Sequence, residues 1–128
     1  MKKNDLDPED CLPLTPAVFH ILLALASGEM HGYAIMLEVA ETTEGQVNMG
    51  PGTLYGTIKR LLEAGWIAES DRRRDKKDDD ERRRYYCLTD VGQRVVEAEA
   101  RRYNELAKLA RRKNLLGKPT KTAHAGGI

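Results

Sequence analysis

The chain has 128 residues, a length that suits one small domain. Its 21 basic and 20 acidic side chains leave a formal net charge of +1, so overall charge does not indicate a nucleic-acid partner, and any such signal must lie in how the charge is distributed. The longest apolar stretch, residues 18–26, is too short for a membrane span and the two cysteines form no C-x-x-C pair, so we expect a cytoplasmic protein with no membrane segment, structural metal or cofactor.

The first residues predict a flexible arm followed by a helix. Residues 1–13 are polar and contain two prolines, which is typical of an arm. Thr15 and Pro16 make a favourable helix start, because the hydroxyl can accept a hydrogen bond from a free backbone N–H and proline fits the first helical position. The apolar residues that follow have helical spacing as far as Ser27-Gly28, where we expect the helix to end.

A second helix is predicted to begin near His31-Gly32, with His31 capping or orienting its first turn. Its apolar residues at helical spacing are expected to form the buried face: Tyr33, Met36, Leu37 and Ala40. Residues 43–50 contain two glycines and an asparagine and are predicted to form the turn that follows.

The third predicted helix has a clear division between two faces. Apolar residues at i, i+4, i+7 and i+8 are expected to be buried: Leu54, Ile58, Leu61 and Leu62. The opposite face carries Gly52, Gly56, Lys59, Arg60 and Glu63, with Thr53 and Tyr55 at its margins. Gly56 is unexpected there, because an exposed glycine inside a helix costs about 1 kcal/mol relative to alanine. The close approach of another molecule to the helix backbone would explain it.

Two strands and a charged loop are predicted next. Residues 66–70 and 85–88 have strand composition. The loop between them, residues 71–84, holds eight basic and six acidic side chains, with the basic ones next to the strands and the acids at the tip. This pattern favours a hairpin whose stem is basic.

A long helix is predicted from about residue 90 to residue 114, capped by Thr89. It carries an apolar stripe made of Val91, Val95, Ala98, Tyr103, Leu106 and Leu109 or Ala110. A helix of this length extends about 36 Å, more than three short helices can cover, so we expect a second copy of the chain to cover the stripe. Residues 115–128 are expected to form a disordered tail.

Four motifs, in this order and spacing, resemble the PadR family of bacterial transcriptional regulators: His31-Gly32-Tyr33, Gly52-Thr53-Leu54-Tyr55, Leu61-Leu62-Glu63-Ala64-Gly65-Trp66-Ile67 and Arg84-Tyr85-Tyr86-Cys87-Leu88-Thr89-Asp90-Val91-Gly92. The resemblance covers about residues 14–109. It implies a mainly helical fold with a small β-hairpin, in which a winged helix-turn-helix domain at residues 14–89 is followed by a dimerisation helix at residues 90–114. The single helix after the wing looks like the smaller subgroup of the family.

The resemblance further implies a repressor that binds duplex DNA as a homodimer on a pseudo-palindromic operator, with an affinity that a small molecule alters. Hydroxyl groups and helix N-termini contact phosphate, whereas basic side chains in the groove can contact base edges, as Arg60 could contact guanine. The residues expected to contact DNA are Thr53, Tyr55, Gly56, Lys59, Arg60, Arg82, Arg83 and Arg84. The chain departs from the family pattern at Gly56, where the family commonly has proline, and in its long wing loop.

The remaining predicted sites concern assembly and signal. The expected dimer contacts are Phe19, Val95, Tyr103, Leu106 and Leu109. An effector pocket is predicted at the dimer interface, lined by Phe19, Trp66 and Tyr103. No enzymatic activity is expected, since Gly50-Pro51-Gly52-Thr53 lacks the lysine of a phosphate loop and no nucleophile and base are grouped. Two alternatives are a winged-helix protein-interaction module without DNA binding, which the acidic residues 78–81 favour, and a small-molecule- or metal-binding protein.

Overall fold

The computed structural model describes residues 8–70 and 84–117. These residues form a mainly helical fold with a small antiparallel sheet, as predicted. The elements are a short 3-10 helix at Pro8–Cys11, α1 at Pro16–Ala26, β1 at Met30–His31, α2 at Gly32–Thr42, α3 at Pro51–Ala64, β2 at Ile67–Glu69, β3 at Tyr85–Leu88 and α4 at Asp90–Arg112.

The sheet joins the helix-turn-helix to the wing, which is the hairpin that β2 and β3 form. Its strand order is β1-β3-β2 with antiparallel pairing throughout, and Ile67 lies opposite Leu88 in the predicted hairpin. Strand β1 was not predicted, because two residues are too few to show an alternating pattern. It ties the start of α2 to the wing, and there the His31 ring meets the Tyr85 ring edge-on with 5.4 Å between centroids.

The helices begin and end where local sequence predicted. The hydroxyl groups of Thr15 and Thr89 accept hydrogen bonds from backbone N–H groups in the first turns of α1 and α4. The Nδ1 atom of His31 accepts a hydrogen bond from the Ala34 N–H at 3.1 Å and so caps the first turn of α2. Helix α3 ends at Gly65, whose φ of 80° is in the left-handed region that glycine favours.

The buried face of α2 differs from the predicted one. Ile35 and Val39 are buried in the core, whereas Tyr33 and Leu37 are 53% and 51% exposed. The prediction was wrong because α2 is apolar on both sides: Ile35 lies about 200° around the helix from Tyr33 and is equally apolar. Burial was decided by the neighbouring helices and not by the spacing alone.

The core forms where α1, α2, α3, the sheet and the first half of α4 meet. Leu54, Ile58 and Leu61 of α3 are buried there, as predicted. The start of α4 packs directly on the chain after α3, since a Cβ atom at Gly92 would overlap the backbone carbonyl of Trp66. This contact fixes α4 against the turn between α3 and the wing.

The described residues before α1 pack on α4. That residues 1–13 form a flexible arm stays a prediction. The carboxylate of Glu99 is fully buried and accepts a hydrogen bond from the Leu14 N–H at 3.0 Å. Arg102 donates to the same carboxylate from Nε at 2.6 Å and from Nη2 at 3.1 Å. The hydrogen bond from Arg102, reinforced by the one from Leu14, holds the pKa of Glu99 below its ordinary value against the opposing effect of burial. Sequence inspection missed this residue, because α4 is rich in charge and nothing in its pattern singles out Glu99.

Candidate nucleic-acid interface

Helix α3 presents a polar, basic face to solvent. Thr53, Lys59 and Arg60 are exposed, and Gly56 is half-buried. The N-cap residue of α3 is Gly50, and among the described residues no side chain caps this end. The first backbone N–H groups of α3 and the positive end of its dipole are therefore open to an anion such as a phosphate.

A hydrogen bond defines the direction of the Arg60 side chain on α3. Its Nη2 donates to the Thr57 hydroxyl at 3.3 Å. Its Nη1 lies 4.0 Å from the position that a Cβ atom at Gly56 would occupy. The guanidinium is therefore folded back along α3, over the glycine that looked out of place in the sequence. Thr57 was missed in the sequence, where a threonine inside a helix gives no signal of burial, yet it is only 1% exposed.

Tyr55 lies between α2 and α3 and not on the open face of α3. It is half-buried, and its hydroxyl oxygen would lie 2.6 Å from a Cβ atom at Gly32. Only glycine at position 32 allows this approach. Tyr55 thus helps to set the packing of the two helices, a role different from the phosphate contact expected of it.

At the stem of the wing, the positive charge of Arg84 is paired with an acidic side chain. Arg84 Nη1 lies 3.2 Å from Glu69 Oε2 across the hairpin, and both side chains are close to half exposed. An exposed pair of this kind contributes roughly 0–1 kcal/mol, so Arg84 can exchange Glu69 for a phosphate at little cost. The other two predicted wing contacts, Arg82 and Arg83, lie outside the described residues.

The second half of α4 carries the exposed part of the apolar stripe. Tyr103, Leu106 and Leu109 are 46%, 49% and 39% exposed. Phe19 of α1 is buried, and its ring packs against that of Tyr103 with 4.9 Å between centroids and a tilt of 38°. The prediction that Val95 contacts a second copy is wrong. This side chain is only 1% exposed and belongs to the core of its own chain. The reason is that the first half of α4 packs on α1 and β3.

The effector pocket was predicted at the dimer interface and stays a prediction, since the structure describes a single chain. Phe19 and Tyr103 are in contact, but the backbone of Trp66 packs against α4 at Gly92. Tyr103 lies eleven residues further along the same helix, about 16 Å away at 1.5 Å per residue. The structure therefore separates Trp66 from the other two aromatic residues.

Within residues 8–70 and 84–117, no three histidine, cysteine, aspartate or glutamate side chains are grouped so as to hold a metal ion. None of the helices in this part of the chain is long and apolar enough to cross a membrane. Burial, together with the nearby Glu29, raises the pKa of the Cys87 thiol. This lowers the thiolate fraction on which oxidation of Cys87 would depend.

Comparison with known protein families gives a match over most of the fold. Residues 21–98, more than half of the chain, match the transcriptional regulator PadR-like family. A 37.1 kDa protein in transposon TN4556 of Streptomyces fradiae is 36% identical over 84 residues, which cover 62% of this chain. The match spans about a fifth (21%) of the length of that relative.

Solved structures with the same fold include two regulators. A transcriptional regulator from Clostridium thermocellum superposes with a TM-score of 0.59 and 24% identity, over 80% of this chain and 90% of that one. A PadR family transcription regulator from Clostridium difficile superposes with a TM-score of 0.61 and 23% identity, over 77% of this chain and 97% of that one. At these identities the likeness establishes the fold.

Proposed function

Because the chain belongs to the transcriptional regulator PadR-like family, we propose that it is a DNA-binding regulator that represses transcription as a homodimer on a pseudo-palindromic operator. The family is one of transcription regulators and not of enzymes. Residues 14–89 would bind DNA, and residues 90–114 would hold the two copies together.

The observation that carries the proposal is the open face of α3. Its uncapped N-terminus and the exposed hydroxyl of Thr53 suit a phosphate, while Lys59 and Arg60 are exposed nearly two turns further on. Such a helix places its first turns in the major groove, where arginine can bond to guanine in a bidentate manner. Arg84, at the stem of the wing, would contact the neighbouring phosphate backbone.

The homodimer is proposed from the exposed apolar stripe on the second half of α4. Tyr103, Leu106 and Leu109 follow helical spacing and lie outside the core of their own chain. A second copy that packs on this stripe would remove it from water and relate the two α3 helices by a two-fold axis. Two successive major grooves on one side of the duplex lie roughly 34–36 Å apart, which is the spacing required of the two α3 helices.

Repression would follow from occupancy of the operator, which blocks the polymerase. A small molecule bound beside Phe19 and Tyr103 would lie where α1 meets α4, next to the proposed dimer surface. Binding there would alter the angle between α4 and the DNA-binding domain and so change the spacing of the two α3 helices. The proposal rests on Phe19 and Tyr103, whose rings are in contact within one chain.

The alternative is a winged-helix module that binds another protein and no DNA. The acidic residues 78–81 at the wing tip and the net charge of +1 favour it. The two proposals differ in the role of Lys59 and Arg60. These side chains contact the bound molecule directly if it is DNA, but not if it is another protein.

A charge-reversal experiment tests the proposal. In the double variant Lys59→Glu/Arg60→Glu we expect duplex affinity to fall at least about 100-fold, since each lost groove contact is worth about 1–3 kcal/mol. The matched control Arg101→Glu/Lys108→Glu changes the net charge equally on the polar side of α4. Fluorescence anisotropy with operator DNA measures affinity, and sedimentation measures the dimer. Equal affinity in the two double variants, with dimers intact, would contradict specific binding through α3.

A further inference from the structure

Thr57 is a buried polar residue at the edge of the proposed DNA-binding face. Its side chain is 1% exposed, and its hydroxyl donates to the Thr53 carbonyl at 2.8 Å. A hydroxyl carries a single hydrogen, so only its lone pairs remain for a further contact. Arg60 supplies that contact by donating from Nη2 at 3.3 Å.

The geometry of this contact sets the direction of the guanidinium. Helical side chains lean toward the N-terminus of their helix, and Thr57 lies one turn before Arg60 on the same side. The guanidinium also lies above Gly56, where a Cβ atom would stand 4.0 Å from Nη1. Arg60 therefore extends toward the end of α3 that enters the groove in the proposed complex.

We propose that Thr57 is a positioning residue that holds Arg60 in its DNA-binding orientation; this inference rests on the proposed DNA contact of Arg60. Arginine has five N–H donors, and the bond to Thr57 uses one. Four remain, and a bidentate contact with guanine or phosphate needs two. An exposed arginine that is already held in one orientation loses less conformational entropy when DNA binds.

The test is a double-mutant cycle. The variants are Thr57→Val, which keeps the shape and removes the hydroxyl, Thr57→Ser, which keeps the hydroxyl, Arg60→Ala, and Thr57→Val combined with Arg60→Ala. Anisotropy with the selected operator gives each affinity, and urea unfolding confirms that each variant is folded. Thr57→Val is expected to weaken binding by about three- to tenfold, the effect of one lost hydrogen bond, while Thr57→Ser stays close to the unmodified protein.

Coupling to Arg60 is the decisive readout. In the Arg60→Ala background, Thr57→Val should have no further effect on binding, because the group that it positions is gone. An equal loss in both backgrounds would show that Thr57 only stabilises α3, and no loss in either would show that the orientation does not matter; each result overturns the inference. Operator binding that is insensitive to Arg60→Ala also overturns it but leaves DNA binding intact, whereas an unmodified chain that binds no duplex refutes the proposed function itself.

Discussion

Replacement of Gly56 by alanine should make the protein more stable and a poorer DNA binder. A Cβ atom at this position would meet nothing nearer than Arg60 Nη1 at 4.0 Å, an ordinary van der Waals distance. Gly56 lies well inside α3, so alanine should raise the free energy of unfolding by about 0.5–1 kcal/mol through helix propensity. Nothing in the described part of the chain opposes this gain.

The expected loss of binding has a steric cause. The added methyl group lies at an ordinary van der Waals distance from the guanidinium of Arg60, but it stands on the face of α3 that is proposed to approach DNA. If one groove contact is lost in each half-site, at about 1–3 kcal/mol per contact, affinity for the operator should fall at least about 30-fold.

Urea unfolding and anisotropy titration of the same samples measure the two effects. Asn104→Ala is the control, because Asn104 is exposed on the polar side of α4 and its replacement also raises helix propensity, but far from α3. It should gain stability and keep its affinity. Gly56→Ala protein that is less stable would reveal a clash that the structure lacks, and Gly56→Ala protein that binds normally would refute the close approach of DNA at this point.

Three further outcomes are expected. Glu99→Ala removes the buried acceptor of charge-assisted hydrogen bonds and should lower the free energy of unfolding by about 2–4 kcal/mol in urea titrations at pH 7. The control Glu105→Ala removes one partner of an exposed surface pair and should change this free energy by less than about 0.5 kcal/mol. Because the pKa of Glu99 is lowered in the folded state, its contribution is present above the ordinary carboxyl value of 4.5 and should disappear as the pH falls through the folded pKa; a Glu99→Ala difference that does not shrink in acid would contradict this. Gly92→Ala should lower the free energy of unfolding by at least about 2 kcal/mol, because the added Cβ atom would overlap the backbone of Trp66. A thermal melt like that of the unmodified protein would contradict the close packing of α4 at this position. Leu106→Asp should yield folded monomers in sedimentation runs, and a persistent dimer would place the interface elsewhere.

Features that depend on a few neighbouring residues could be predicted from the sequence. The caps at Thr15, His31 and Thr89 and the glycine end of α3 follow from chemistry within one helical turn. Three of the four residues predicted to be buried on α3, Leu54, Ile58 and Leu61, are buried, because only one of its sides is apolar. The fourth, Leu62, is half-buried.

Features that depend on distant residues could not be predicted. Tyr33 and Val95 illustrate this, since apolar spacing shows which residues could be buried but not whether a given one meets its own chain or solvent. Glu99 and Thr57 illustrate it for polar groups: the acceptor role of Glu99 requires Leu14, 85 residues away, and Thr57 is buried by other elements. In the candidate site, the residues of α3 were predicted from the motif, whereas the direction of Arg60 required coordinates.

Selection of bound sequences from a random duplex pool, followed by anisotropy titration of the enriched sequence at several salt concentrations, tests operator binding most directly. We expect a two-fold-symmetric sequence whose half-sites are separated by about one helical turn, roughly 10 base pairs, and an affinity that falls steeply as salt rises. No enriched sequence, together with weak duplex binding even at low salt, would contradict DNA binding and favour the protein-interaction module.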